Sequence, residues 1–118
     1  MNWTPITNEQ IKWLGIDFDN TITDNSGFPN YTPTIPLSGA IESLNRLSEE
    51  GYKIIIYTAR PWSDYHNIEK YCDKYGIPVR RIICGKPLFN CVIDDKNIEF
   101  SGDWKMVEFK VHNRNQPD

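Results

Sequence analysis

Asp17 and Asp19, in the string Asp17-Phe18-Asp19-Asn20-Thr21, are the first residues whose types and spacing could do chemistry. They follow the apolar run Trp13 to Phe18, and the chain is expected to turn sharply after Asp17, so both carboxylates can approach one point. Two acids together suit a hard divalent cation with oxygen ligands. They also suit a division of labour between a nucleophile and a general acid/base. An isolated Asp-x-Asp-x-Thr is equally compatible with one aspartate capping a turn and the other in solvent.

Three later positions share this character. Thr58 ends an apolar run in Tyr57-Thr58-Ala59-Arg60, and a threonine hydroxyl there can donate to a phosphate oxygen. Ordinary strand propensity would also put a threonine there. Lys86, in Gly85-Lys86-Pro87, could neutralise phosphate charge and keep a nucleophilic carboxylate ionised, or could be a surface lysine. Asp94 and Asp95 directly follow Cys91-Val92-Ile93, and acids in that position need a partner or a cation. The alternative for them is a turn-forming pair. Arg60 and Trp62 could face a substrate, the arginine holding a second anionic group and the tryptophan stacking on a base or sugar. They could equally be a loop arginine and a tryptophan packed on the following helix.

The elements expected to carry these residues alternate. Strands are expected at Trp13–Phe18, Tyr52–Thr58, Val79–Cys84 and Cys91–Asp94. Leu37, Ala40, Ile41, Leu44 and Leu47 have helical spacing, with Gly51 as the stop. A second helix runs from a Ser63 cap to Tyr75, with Ile68, Tyr71 and Cys72 inward and Gly76 after it. Asp103 caps a last helix through Trp104, Val107 and Val111. Apolar strands alternating with amphipathic helices imply a three-layer, Rossmann-like parallel sheet with helices on both faces. Ligands in such folds bind beyond the carboxyl ends of the strands, where the polar residues above are expected.

The chain has 118 residues, which fits one domain over 1–118. Hydrophobic residues at 39% and charged residues at 25% describe a globular chain. A net charge of −3 argues against a broad nucleic-acid-binding face. The N-terminus, Met1 to Gln10, lacks the apolar core of a signal peptide, and no apolar run is long enough to span a bilayer, so a cytoplasmic protein without a membrane partner is expected. Three cysteines, Cys72, Cys84 and Cys91, stand in apolar contexts without a Cys-x-x-Cys pair, so buried reduced thiols are expected rather than a zinc site.

The order of these signals resembles the haloacid dehalogenase-like superfamily, chiefly Mg²⁺-dependent phosphatases. Asp17-Phe-Asp19-Asn-Thr21 looks like its first motif, Thr58 its second, Lys86 its third and Asp94-Asp95 its fourth. The string from Lys86-Pro87 through Ile93-Asp94-Asp95 to Gly102-Asp103-Trp104 is similar to small phage and bacterial phosphatases, and Ile93-Asp94-Asp95-Lys96 to a stretch of deoxyribonucleotidases. Asn20 departs from the glycine of many relatives. The segments Ile22–Pro36 and Pro61–Gly85 are too short for a cap domain, so the resemblance implies a capless member with an open site.

By this resemblance Asp17 attacks phosphorus and Asp19 is the acid/base. Mg²⁺ would be held by Asp17, the Asp19 carbonyl and Asp94, with Asp95 in support. Thr58 and Lys86 grip the phosphoryl group, and Thr21 lies on the substrate side. The expected substrate is a phosphorylated small molecule or nucleic-acid end, and a homo-oligomer could cover the open site. A phosphotransferase, or a phosphate-binding or regulatory domain on the same scaffold, is the competing reading. Dehalogenation is disfavoured, because it needs no proton delivered to a leaving alcohol.

Overall fold

A computed structural model describes residues 12–25 and 35–114. The residues between 25 and 35, which make up most of the segment Ile22–Pro36, lie outside the described residues.

The apolar run before Asp17 forms strand β1, Lys12–Ile16. A short antiparallel pair follows, β2 (Thr23–Asp24) with β3 (Ile35–Pro36). Helix α1, Ala40–Glu49, buries Ala40, Leu44 and Leu47, and its acid-rich end gives way to Gly51 at φ 99°. Strand β4, Tyr52–Tyr57, carries three consecutive isoleucines, all buried. Successive strand residues face opposite sides, so burial of Ile54, Ile55 and Ile56 means both faces of β4 are covered.

A 3₁₀ turn at Trp62–Asp64 leads into α2, Tyr65–Tyr75. Helix α2 thus begins two residues after Ser63, and no side chain caps it. Its inward residues are Ile68, Tyr71 and Cys72, and Gly76 ends it in the left-handed region at φ 66°. Strand β5 is Val79–Ile83, and α3 is Trp104–Arg114. The Asp103 carboxylate accepts the N–H groups of Lys105 (2.9 Å) and Met106 (3.4 Å), an N-cap as expected.

The sheet has the order β1-β4-β5 with both pairings parallel, Ile16 beside Ile56 and Tyr57 beside Ile83. Helices α1 and α2 supply the long connections that parallel strands need. One contiguous core joins Phe18, Ile22, Leu44, Leu47, Ile54, Ile56, Ile68, Trp104 and Val111.

The expected fourth strand does not form. Among the described residues Cys91–Asp94 have no ladder partner, and Val92 and Ile93 are 51% and 97% exposed. A strand-like composition cannot make a strand without a neighbour, and the chain leaving β5 does not bring this run alongside one. For the same reason Cys91 is exposed, whereas Cys72 and Cys84 are buried as expected. All three thiols are free, and burial pushes that of Cys72 up to about 12, which makes it inert.

Candidate functional site

All three strands end on the same side because they are parallel, and the loops leaving them build the site. After β1, the Phe18 carbonyl accepts the N–H groups of Thr21, Ile22 and Thr23 at 3.3, 3.0 and 3.1 Å. This tight turn needs a left-handed residue at Asn20, φ 59°. Asparagine tolerates that region better than other non-glycine residues. Across the molecule, the buried Trp104 of α3 donates its indole N–H to the Thr21 carbonyl at 2.9 Å and pins the turn.

Asp17 is half-buried at the start of this turn. Its Oδ1 accepts the Phe18 N–H at 2.9 Å, and no described residue donates to its Oδ2. Burial raises the carboxyl above its ordinary value, with Asp19 adding to the rise; the Phe18 N–H and the Lys86 charge oppose it.

The loops after β4 and β5 are laced together. Thr58 N–H donates to the Ile83 carbonyl (2.9 Å), Lys86 N–H to the Thr58 carbonyl (2.9 Å), and Gly85 N–H to the Arg60 carbonyl (2.8 Å). Gly85 sits at φ 77° under the Trp62 indole, whose nitrogen would lie 3.6 Å from any added Cβ. These bonds deliver Lys86 to the site, its ammonium 5.3 Å from the Tyr57 ring centroid. Asp17, Thr21 and Lys86 line one cavity of about 520 Å³, which continues along β1.

Asp19 is held differently. Arg60 grips it with both arms of the guanidinium, Nε to Oδ2 at 2.8 Å and Nη2 to Oδ1 at 2.7 Å. The Asn25 amide donates to Oδ1 at 2.6 Å. A carboxylate has about four lone-pair sites. Among the described residues, three are engaged and the remaining one is on Oδ2.

Several expectations therefore change. Arg60 is 8% exposed, its guanidinium over the Phe18 ring and forked onto Asp19, so it faces an acid of the site rather than a substrate anion. Thr58 is buried, and its hydroxyl accepts the Arg60 N–H at 3.2 Å; it does not line the cavity. Trp62 is 58% exposed and stacks on Tyr65 of α2. Asp94 and Asp95 form a turn. The Asp94 carboxylate accepts the Lys96 N–H at 2.8 Å, and the Arg114 guanidinium holds the carbonyls of Asp95 and Asn97 at 2.9 and 2.7 Å. Among the described residues no three acid, histidine or cysteine side chains converge, so Asp94 is not gathered with Asp17 and Asp19.

The donors present can be compared with what Mg²⁺ requires. Asp17 Oδ2 and the Asp19 carbonyl oxygen accept no hydrogen bond from described residues, and both are hard oxygen donors. Mg²⁺ commonly keeps several waters and takes only one or two carboxylates. The set fits that ion, with one acid fewer than expected.

Asn25 and Trp104 carry parts of the site that sequence reasoning did not assign. Asn25 gives no signal beyond its place in a polar loop. The indole of Trp104 reaches Thr21 across 83 residues, which only the fold reveals.

The parallel sheet with polar residues at its carboxyl ends defines a Rossmann-like α/β protein. A similar fold occurs in the crystal structure of an MCSG target from Vibrio cholerae, 27% identical over 89% of this chain and 97% of that one, with a TM-score of 0.70. No protein-family model matches the chain. No curated protein matches it either.

Proposed function

We propose that this chain is a Mg²⁺-dependent phosphatase of the haloacid dehalogenase-like type, hydrolysing a phosphate monoester through an aspartyl-phosphate. The observation that carries the reading is the half-buried Asp17, facing a cavity it shares with Lys86, with one carboxylate oxygen receiving a backbone N–H and the other open. A desolvated, oriented carboxylate beside a cation is suited to attack on phosphorus.

Asp17 Oδ2 attacks phosphorus opposite the leaving oxygen, forming a new P–O bond as the P–O bond to the alcohol breaks. The leaving alkoxide takes a proton from Asp19. Water then attacks the phosphoenzyme, Asp19 accepts its proton, and inorganic phosphate leaves with Asp17 restored. The lone pair left open on Asp19 Oδ2 is the place for both proton transfers. Lys86 draws the phosphoryl oxygens toward Asp17, and Thr21 borders the substrate. Mg²⁺, held by the Asp17 carboxylate and the Asp19 carbonyl, would offset the charge gathered between carboxylate and phosphate. The substrate class is a phosphorylated small molecule or a nucleic-acid end.

The test is hydrolysis of an aryl phosphate and a panel of phosphorylated metabolites and oligonucleotide termini, with Mg²⁺ and with excess EDTA. Turnover that stops in EDTA and returns with Mg²⁺ is expected. Full activity in chelator would exclude the metal role, and no turnover of any substrate would exclude the phosphatase.

A further inference from the structure

Asn20, Thr23 and Asn25 close a ring of hydrogen bonds beside Asp19. The Asn20 N–H donates to the Thr23 hydroxyl oxygen at 3.3 Å, the Thr23 hydroxyl donates to Asn25 Oδ1 at 2.7 Å, and the Asn25 N–H donates to Asn20 Oδ1 at 3.1 Å. Each residue gives one bond and receives one. The Thr23 hydroxyl also lies 3.4 Å from the Phe18 carbonyl, but that oxygen already accepts the N–H groups of Thr21, Ile22 and Thr23, and a hydroxyl has a single proton to give. The shorter bond to Asn25 takes it. Thr23 is itself fixed, since it is fully buried and its backbone sits in β2 opposite Pro36 of β3.

The side-chain amide of Asn25 donates outward from this ring and meets Asp19 Oδ1 at 2.6 Å. The two ends of an asparagine side chain have nearly the same shape, so its partners decide which way it points. Turned over, Asn25 would set its oxygen against the Asp19 carboxylate, acceptor against acceptor, and would take from the Thr23 hydroxyl its nearest acceptor. The fork of Arg60 does not by itself distinguish the two oxygens of Asp19, because it gives one N–H to each. Asn25 breaks that symmetry by filling the second place on Oδ1.

We infer that Thr23 and Asn25 are positioning residues for Asp19: the Thr23 hydroxyl aims the Asn25 amide, and the amide fills Oδ1 so that Oδ2 is the oxygen left for the leaving group. The role in turnover rests on the phosphatase reading; the relay from Thr23 through Asn25 to Asp19 does not. Without Asn25, each oxygen of Asp19 keeps one N–H of the Arg60 fork and one open place among the described residues. The carboxylate then works through either oxygen and loses a contact that fixes it. A misplacement of about 1 Å can cost about 100-fold in rate, so losing one contact while the fork remains should cost about 10-fold.

Two experiments test it. The first is a rapid-mix assay on one alkyl and one aryl phosphate. Asn25→Ala should lower kcat on the alkyl phosphate by about 10-fold and leave first-turnover phenol release at its wild-type rate, because a phenolate needs no proton to leave. Thr23→Val, which keeps the shape and removes the hydroxyl, should act in the same way, whereas Thr23→Ser should keep the wild-type ratio of alkyl to aryl rates. In the Asn25→Ala background, Thr23→Val should add nothing to that ratio, since the two residues act through one bond. Alkyl and aryl rates that fall together, or a Thr23→Val effect undiminished in that background, would overturn the positioning role. The second experiment follows the Asn25 side-chain amide by NMR. One of its protons should lie downfield in the wild type, return to the free-amide position in Asp19→Ala and move toward it in Thr23→Val. A wild-type signal already at the free-amide position would overturn the relay. If the wild type hydrolyses no phosphate, the phosphatase reading falls and takes the role in turnover with it, and the amide signal alone decides the relay.

Discussion

Asp17 and Asp19 are two residues apart yet meet opposite surroundings. Asp17 has a backbone donor on one oxygen and a cavity at the other, whereas Asp19 is clamped by Arg60 and Asn25. Distinct environments give two carboxylates distinct tasks. Asp17→Asn should abolish phosphoenzyme formation with every substrate. Asp19→Asn should fail at once on alkyl phosphates, whose leaving group needs a proton. On an aryl phosphate it should release a burst of about one phenol per site and then stall, because only hydrolysis of the intermediate still needs the base. The loss on alkyl phosphates should be about 10²–10⁴-fold, read in a rapid-mix assay. Arg60 acts through Asp19. Arg60→Lys keeps the charge but loses the fork, so kcat on alkyl phosphates should fall by up to about 100-fold while the aryl burst survives. An unchanged ratio of alkyl to aryl rates would show that the fork does not set the position of Asp19.

At the scale of elements, local signals served wherever an element closes on its neighbours. The isoleucines of β4, the glycine after α2 and the Asp103 cap of α3 were legible because residue type and immediate spacing decide them. The same was true of Asp17 and Lys86, since parallel strands place whatever follows them at one end of the sheet. Cys91–Asp94 was not, because strand formation depends on a partner, and this run has none among the described strands. Nor was the role of Arg60, whose partner lies 41 residues away. Element packing also leaves a marker in α2. The Tyr71 hydroxyl is buried with no hydrogen-bond partner among the described residues, and burial raises its pKa. Its ring packs edge-on against Phe18 at 5.4 Å, so Tyr71→Phe keeps the contact and removes the unsatisfied group. Stability should rise by about 1 kcal/mol, measured by urea denaturation. Trp104→Phe should do the opposite, losing about 1–3 kcal/mol as the Thr21 carbonyl loses its donor. The turn carrying Asp17 would loosen with it.

At the scale of the whole molecule, the site weakens the fold that holds it. Because burial raises the Asp17 carboxyl above 3.8, the folded chain holds that proton more tightly than the unfolded chain does. Its contribution to stability is fully present below pH 3.8 and is lost as pH rises through the folded value. Asp17→Asn removes the charge, so it should raise the melting temperature at pH 7, and the gain should vanish in acid. Equal melting curves at pH 7 would show that desolvation of Asp17 costs the fold nothing. None of the described helices is long and apolar enough to cross a membrane. Whether Asp17 attacks phosphorus is tested most directly by trapping the phosphoenzyme. Asp19→Asn protein is mixed with Mg²⁺ and an aryl phosphate, quenched in acid during the burst, digested and mapped by mass spectrometry. One phosphoryl group on Asp17 is the predicted result. A phosphoryl group on any other residue, or a burst that leaves Asp17 unmodified, would contradict it.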